Sequence, residues 1–121
     1  MSLREYLKIY EYDVSRPLNV ELSKFSEKAN YVAYRVYYNS VGNVRVPAIF
    51  TTPRMVDRKH PCIVFLHGYG GGKEDILPLA DLFSTEGYAF LSIDAPFHGE
   101  RTEPGKVLYS PNVEELKSNV I

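Results

Sequence analysis

Five consecutive apolar residues, Cys62-Ile63-Val64-Phe65-Leu66, run directly into the glycine-rich segment His67-Gly68-Tyr69-Gly70-Gly71-Gly72-Lys73-Glu74-Asp75. An apolar run without alternation predicts a parallel strand covered on both faces. Beyond the glycines, Ile76, Leu79, Ala80 and Phe83, with Leu82 beside them, recur at helical spacing and predict a helix over 75–86. Pro78 fits only the first turn of that helix, and Gly87 stands where a left-handed residue ends one. Tyr88-Ala89-Phe90-Leu91-Ser92-Ile93 then predicts a second strand. Residues 62–93 thus form a βαβ unit, whose right-handed crossover makes the two strands parallel neighbours in an α/β fold. The glycine-rich loop lies at the carboxyl end of the first strand, where α/β proteins build their sites.

Glycines at such a place let backbone N–H groups approach a ligand, and phosphate is the first ligand to test. A Walker A loop needs Gly at position 67 and Ser or Thr after the Gly72-Lys73 pair, where this chain has His67 and Glu74. The dinucleotide fingerprint fails as well. Its third glycine falls on Lys73 when counted from Gly68 and Gly70, and on Asp75 when counted from Gly70 and Gly72. An alternative is an oxyanion hole, in which preorganised N–H donors stabilise the charge that acyl transfer builds on a carbonyl oxygen.

Ahead of the βαβ unit, Tyr31 to Tyr38 are dense in β-branched and aromatic residues, Asn39 to Asn43 have turn chemistry, and Val44 to Thr52 return as a second strand. An antiparallel hairpin is expected, with a bulge or an unpaired position at Pro47. Residues 1–30 are expected to be an irregular leader. Within it, Leu3, Tyr6, Leu7 and Tyr10 mark a weak helix over 2–12 whose apolar stripe serves packing. After the unit, a polar loop from Asp94 to Pro111 leads to a helix start capped by Asn112.

The 14 Lys and Arg against 15 Asp and Glu are scattered, so no basic face for nucleic acid or anionic lipid is expected. The single Cys62 makes neither an internal disulfide nor a zinc cluster. Its apolar setting predicts a buried small hydrophobe and fits a reducing compartment. The first residues have no signal-type apolar region, and no apolar run approaches the roughly 20 residues of a membrane helix. A cytoplasmic location is the expectation.

The loop from His67 to Asp75, followed by Gly87-Tyr88 and by Asp94-Ala95-Pro96-Phe97-His98-Gly99-Glu100-Arg101, resembles the amino-terminal half of an α/β-hydrolase. Within that superfamily the chain is most similar to dienelactone-hydrolase-like proteins and acyl esterases, with prolyl-oligopeptidase-type serine peptidases as near relatives. The resemblance covers roughly Tyr31 to Arg101. It implies that the Tyr69 backbone N–H helps form the oxyanion hole, with the tyrosine side chain facing the acyl pocket. It implies loop-structuring roles for His67, Gly68, Gly70, Asp94, His98 and Gly99, because the family's catalytic base and acid lie elsewhere. Glu100-Arg101 is expected to be a solvated or loop-bracing charge pair. No cofactor or metal is implied.

None of the nine serines has glycine both two residues before and two residues after it, so the chain lacks the Gly-x-Ser-x-Gly nucleophile elbow. In the family the triad runs Ser, Asp or Glu, then His, all downstream of this loop. The expectation is therefore a truncated hydrolase domain over residues 31–121, inert alone. Its complete form would hydrolyse a small acyl ester; a peptidase is less favoured, because no propeller precedes the sheet. The alternatives are a serine-peptidase fragment and a non-catalytic domain that associates with itself or a partner. The family's strand order, one-two-four-three, leaves the Cys62–Leu66 edge open without a Lys or Pro gatekeeper. Self-association or pairing with a complementary segment is expected there.

Overall fold

The structure is a computed structural model that describes residues 1–55 and 57–106. The expected helix start at Asn112 lies outside the described residues. A short helix, α1 (Leu3–Lys8), opens the chain behind a capping box in which Ser2 and Glu5 satisfy each other's backbone N–H groups. Its apolar stripe does not pack as expected. No α1 residue is buried, and Leu3 and Tyr10 are about three-quarters exposed.

Five strands form one sheet: β1 (Glu21–Glu27), β2 (Tyr31–Asn39), β3 (Arg45–Pro53), β4 (Cys62–Leu66) and β5 (Ala89–Ile93), in the order β1-β2-β3-β5-β4. From β2 onward this is the expected one-two-four-three order. β1 is an addition, lying within what sequence reading treated as an irregular leader. Its pairing with β2 shifts register between Lys24 and Ser26, and this bulge breaks the period-two pattern by which a strand is recognised. The β2–β3 hairpin pairs continuously from Tyr31↔Pro53 to Asn39↔Arg45, with Gly42 and Asn43 at positive φ in its turn. Pro47 makes no bulge. It stays in register opposite Tyr37 and spends its missing N–H on the β5 side, where its carbonyl accepts the Asp94 N–H at 3.0 Å and the ladder ends at Ala48↔Ile93.

β4 and β5 pair in parallel across a crossover helix, α2 (Leu77–Phe83), which has a 3₁₀ turn at each end and Gly87 at φ +88° beyond it. Pro78 sits in its first turn. One face of the helical segment is buried: Ile76 and Ala80 pack on Tyr31, Ala33, Ile49 and Phe90, with Phe65 and Leu77 adjoining. Leu82 points outward.

β4 is not covered on both faces. Phe65 reaches the core, but Val64 and Leu66, on the other face, are 62% and 70% exposed. Cys62 is exposed rather than buried. β4 ends the sheet on that side, with no described strand beyond it. No helix among the described residues is long and apolar enough to cross a membrane.

Candidate active site

The loops that leave β4 and β5 emerge side by side, because parallel neighbours end at the same edge of the sheet. Two histidines interlock them. His67 Nε2 accepts the Ala95 N–H at 3.0 Å, and His98 Nε2 accepts the Gly70 N–H at 3.1 Å. Each ring's other nitrogen donates locally, His67 Nδ1 to the Gly68 carbonyl (2.8 Å) and His98 Nδ1 to the Pro96 carbonyl (2.9 Å). These partners define the neutral Nδ1–H tautomer for both rings. The ring centroids are 4.9 Å apart.

Between these anchors the chain turns tightly. The Gly71 N–H donates to the Gly68 carbonyl at 2.9 Å, and Gly70 takes φ +79°, a conformation that needs glycine. Tyr69 stands at the apex with its ring edge-on to His98, and the residue is 75% exposed. Its N–H has no acceptor among the described residues. It borders an open recess of about 250 Å³ lined by Tyr69, Gly70, Gly71, Phe97, His98 and Thr102. Phe97 sits at φ +63°, a strained conformation for an aromatic residue.

Beneath the recess lies a buried charge cluster. Asp94, fully buried at the end of β5, accepts the Lys73 N–H at Oδ1 (2.9 Å), and Lys73 Nζ (2.8 Å) and the Glu100 N–H (3.0 Å) at Oδ2. Lys73 is 2% exposed, and its ammonium also meets Glu74 Oε1 at 2.9 Å and Glu100 Oε2 at 2.8 Å. The Tyr37 hydroxyl donates to Glu100 Oε1 at 2.7 Å, and Arg101 donates to the Asp94 carbonyl at 3.0 Å. Burial pushes the Asp94 carboxyl up, but the hydrogen bonds from Lys73 and Glu100 outweigh it and hold the group below its ordinary range. Burial likewise opposes the Lys73 charge, and the three carboxylates more than restore it, raising the ammonium well above its usual value. Hydrogen bonds from Lys73 and Tyr37 hold Glu100 low.

The family model for acetyl xylan esterase (AXE1) matches residues 7–112. The chain belongs to the acetyl xylan esterase family. The match takes in most of the leader as well as the sheet, so β1 falls wholly within the matched region, whereas α1 lies mostly ahead of it. Acetyl xylan esterase 1 from Thermoanaerobacterium sp. JW/SL YS485 superposes with a TM-score of 0.62 at 21% identity, over 82% of this chain and 31% of that one. For an acetyl xylan esterase from Paenibacillus sp. R4 the values are 0.60 and 18%, over 91% and 42%. A cold-adapted esterase from an Arctic intertidal metagenomic library gives 0.53 at 27%, over 69% and 36%. A search of curated proteins gives no significant match. The α/β-hydrolase fold is shared, and the chain spans less than half the length of each of these structures.

In this acetyl xylan esterase family chain, the residues singled out from sequence, His67, Gly68, Tyr69, Gly70, Asp94, His98 and Gly99, all lie on the two interlocked loops. Gly99 takes φ +53°, and a Cβ there would stand 2.3 Å from Asp94 Oδ1. Glu100 and Arg101 do not form a pair: Glu100 binds Lys73 and Tyr37, while Arg101 holds the Asp94 carbonyl. Sequence patterns do not single out Lys73: it completes the Gly-Lys pair of a Walker loop that fails at both ends, and it stands where the dinucleotide fingerprint needs glycine. The available signal was its position: a lysine at a loop–helix junction after one strand faces whatever ends the parallel neighbour, and here that is Asp94.

Proposed function

We propose that residues 67–101 are the oxyanion-binding part of a serine-type carboxylic ester hydrolase acting on short acyl esters, with the nucleophile, acid and base contributed from outside these 121 residues. The observation that carries this reading is the Tyr69 N–H, which has no acceptor among the described residues and belongs to a residue that borders a recess, on a turn fixed by His67 and His98. When a serine oxygen attacks an ester carbonyl, negative charge gathers on the carbonyl oxygen. A donor already aimed at that oxygen stabilises the transition state without reorganising. Both imidazoles spend their nitrogens on backbone groups, which leaves them no part in proton transfer. The acetyl xylan esterase family favours an ester over a peptide bond and points to an acetyl group as the acyl part.

The test compares residues 1–121 alone with a polypeptide that carries the same residues together with a nucleophile-bearing Gly-x-Ser-x-Gly segment. The longer chain is expected to hydrolyse 4-nitrophenyl acetate and to take up a fluorophosphonate label, and the shorter to do neither. Labelling of the 121-residue chain, or ester hydrolysis that leaves the longer chain unlabelled, would overturn the reading.

A further inference from the structure

We propose that Lys73 is a positioning residue for the Tyr69 N–H: clamped between Asp94, Glu74 and Glu100, it fixes the far end of the turn that presents this donor. The inference rests on the role given to Tyr69 above and adds what holds that donor in place.

Four of the five residues from Gly68 to Gly72 are glycine, so the turn has a large conformational entropy to lose. It holds one shape only if its ends are tied. The near end is tied through His67 to Ala95, and the middle through Gly70 to His98. The far end is tied to the β5 loop through Lys73, by its backbone N–H on Asp94 Oδ1 and its ammonium on Asp94 Oδ2. Because these bonds engage two oxygens of one carboxylate, they fix the orientation of the Lys73 backbone as well as its distance. The remaining ammonium hydrogens are satisfied by Glu74 and Glu100, so every donor of a nearly inaccessible lysine has a carboxylate.

Stability alone is a poor reason for such a group. A buried ion pair is often no more stabilising than apolar side chains of the same volume, whereas it does specify geometry. The charge balance also points to position. Three carboxylates converge on one ammonium, so without Lys73 they would repel one another and drive the two loops apart.

The experiment measures amide hydrogen exchange in the 15N-labelled 121-residue chain carrying Lys73→Met or Lys73→Arg. For Lys73→Met, exchange at Gly70 should accelerate by about tenfold or more, while sheet amides such as those of Ala33 and Ile49 change by less than about twofold. Lys73→Arg, which keeps the cation, should stay nearer to the unsubstituted chain. Unchanged exchange at Gly70, or equal acceleration throughout the sheet, would overturn the proposal. If Lys73→Met does not fold, Glu100→Gln, at a more exposed partner, should show the same contrast at smaller size, and uniform acceleration would again overturn it. In the ester-hydrolysing polypeptide, Lys73→Met should lower kcat with little change in KM. A loosened turn with unchanged kcat would overturn the role of Tyr69 and leave the positioning role of Lys73 standing.

Discussion

His98 holds the Gly70 N–H on its Nε2 at 3.1 Å, so a side chain of the β5 loop fixes the backbone of the β4 loop at its apex. His67 returns the contact by accepting the Ala95 N–H. Replacing either ring with alanine leaves a backbone N–H without its partner, and each variant should lose about 1–3 kcal/mol in chemical denaturation. In the ester-hydrolysing polypeptide each should keep kcat within about a hundredfold of the unsubstituted value. A fall of about 10⁶-fold, the scale on which a triad base acts, would contradict the bonding described for that ring.

Gly99 and Gly68 should respond very unequally to one methyl group. At Gly99 the added Cβ meets the Asp94 carboxylate at 2.3 Å on a backbone already at φ +53°; at Gly68 nothing lies within 4 Å. Gly99→Ala should destabilise by about 2 kcal/mol or more, whereas Gly68→Ala should stay within about 0.5 kcal/mol. Denaturation midpoints of the two variants decide the point.

The charge cluster gives stability a defined dependence on pH. Asp94 and Glu100 are held below their ordinary values of 3.8 and 4.5, so their contribution is present above those values and is lost as pH falls through the folded ones. Lys73 is held above 10.5, so its contribution is present below that value and is lost only as pH rises through the folded one. Between about pH 5 and 9 the cluster should contribute a plateau, with an acid limb below about pH 4. Asp94→Asn should lower the plateau and flatten the acid limb in thermal melts. An acid limb unchanged by that substitution would contradict the assignment.

Much of this was legible in the sequence, for physical reasons that differ by element. β4, α2 and β5 announced themselves because a continuous apolar run, a helical repeat and two marked breakers, Pro78 and Gly87, agree with one another. β1 was not legible, because its bulge displaces Phe25 from the alternation begun at Leu22. The exposure of Cys62, Val64 and Leu66 was not legible either: an apolar run records that a strand suits burial, not that a covering element is at hand. In the site, Tyr69, His67 and His98 were legible through the family resemblance carried by residues 67–75 and 94–101. Lys73 stayed hidden because two of its three partners, Asp94 and Glu100, are brought near only by the parallel pairing of β4 and β5.

The open side of β4 carries its own expectation. The Ala89 N–H donates to the Pro61 carbonyl, so by strand alternation Ile63 and Phe65 turn their backbone groups toward β5, and Cys62, Val64 and Leu66 turn theirs outward. The β1 edge is blunted by a bulge and by Glu21, Lys24 and Glu27, and β4 has no such protection. The 121-residue chain should self-associate in sedimentation, and Val64→Lys should shift it toward monomer. A compact monomer at high concentration without the substitution would contradict this.

The central claim is that the Tyr69 N–H binds the developing oxyanion, and the most direct test deletes that one atom pair. In the ester-hydrolysing polypeptide, Tyr69 is replaced by its α-hydroxy acid analogue, which puts an ester oxygen in place of the N–H, and kcat for 4-nitrophenyl acetate is compared with that of Tyr69→Ala. The analogue should lower kcat by about 10²- to 10³-fold with KM little changed, while Tyr69→Ala, which keeps the N–H, should stay within about tenfold. Full kcat in the analogue, at unchanged thermal stability, would contradict the account.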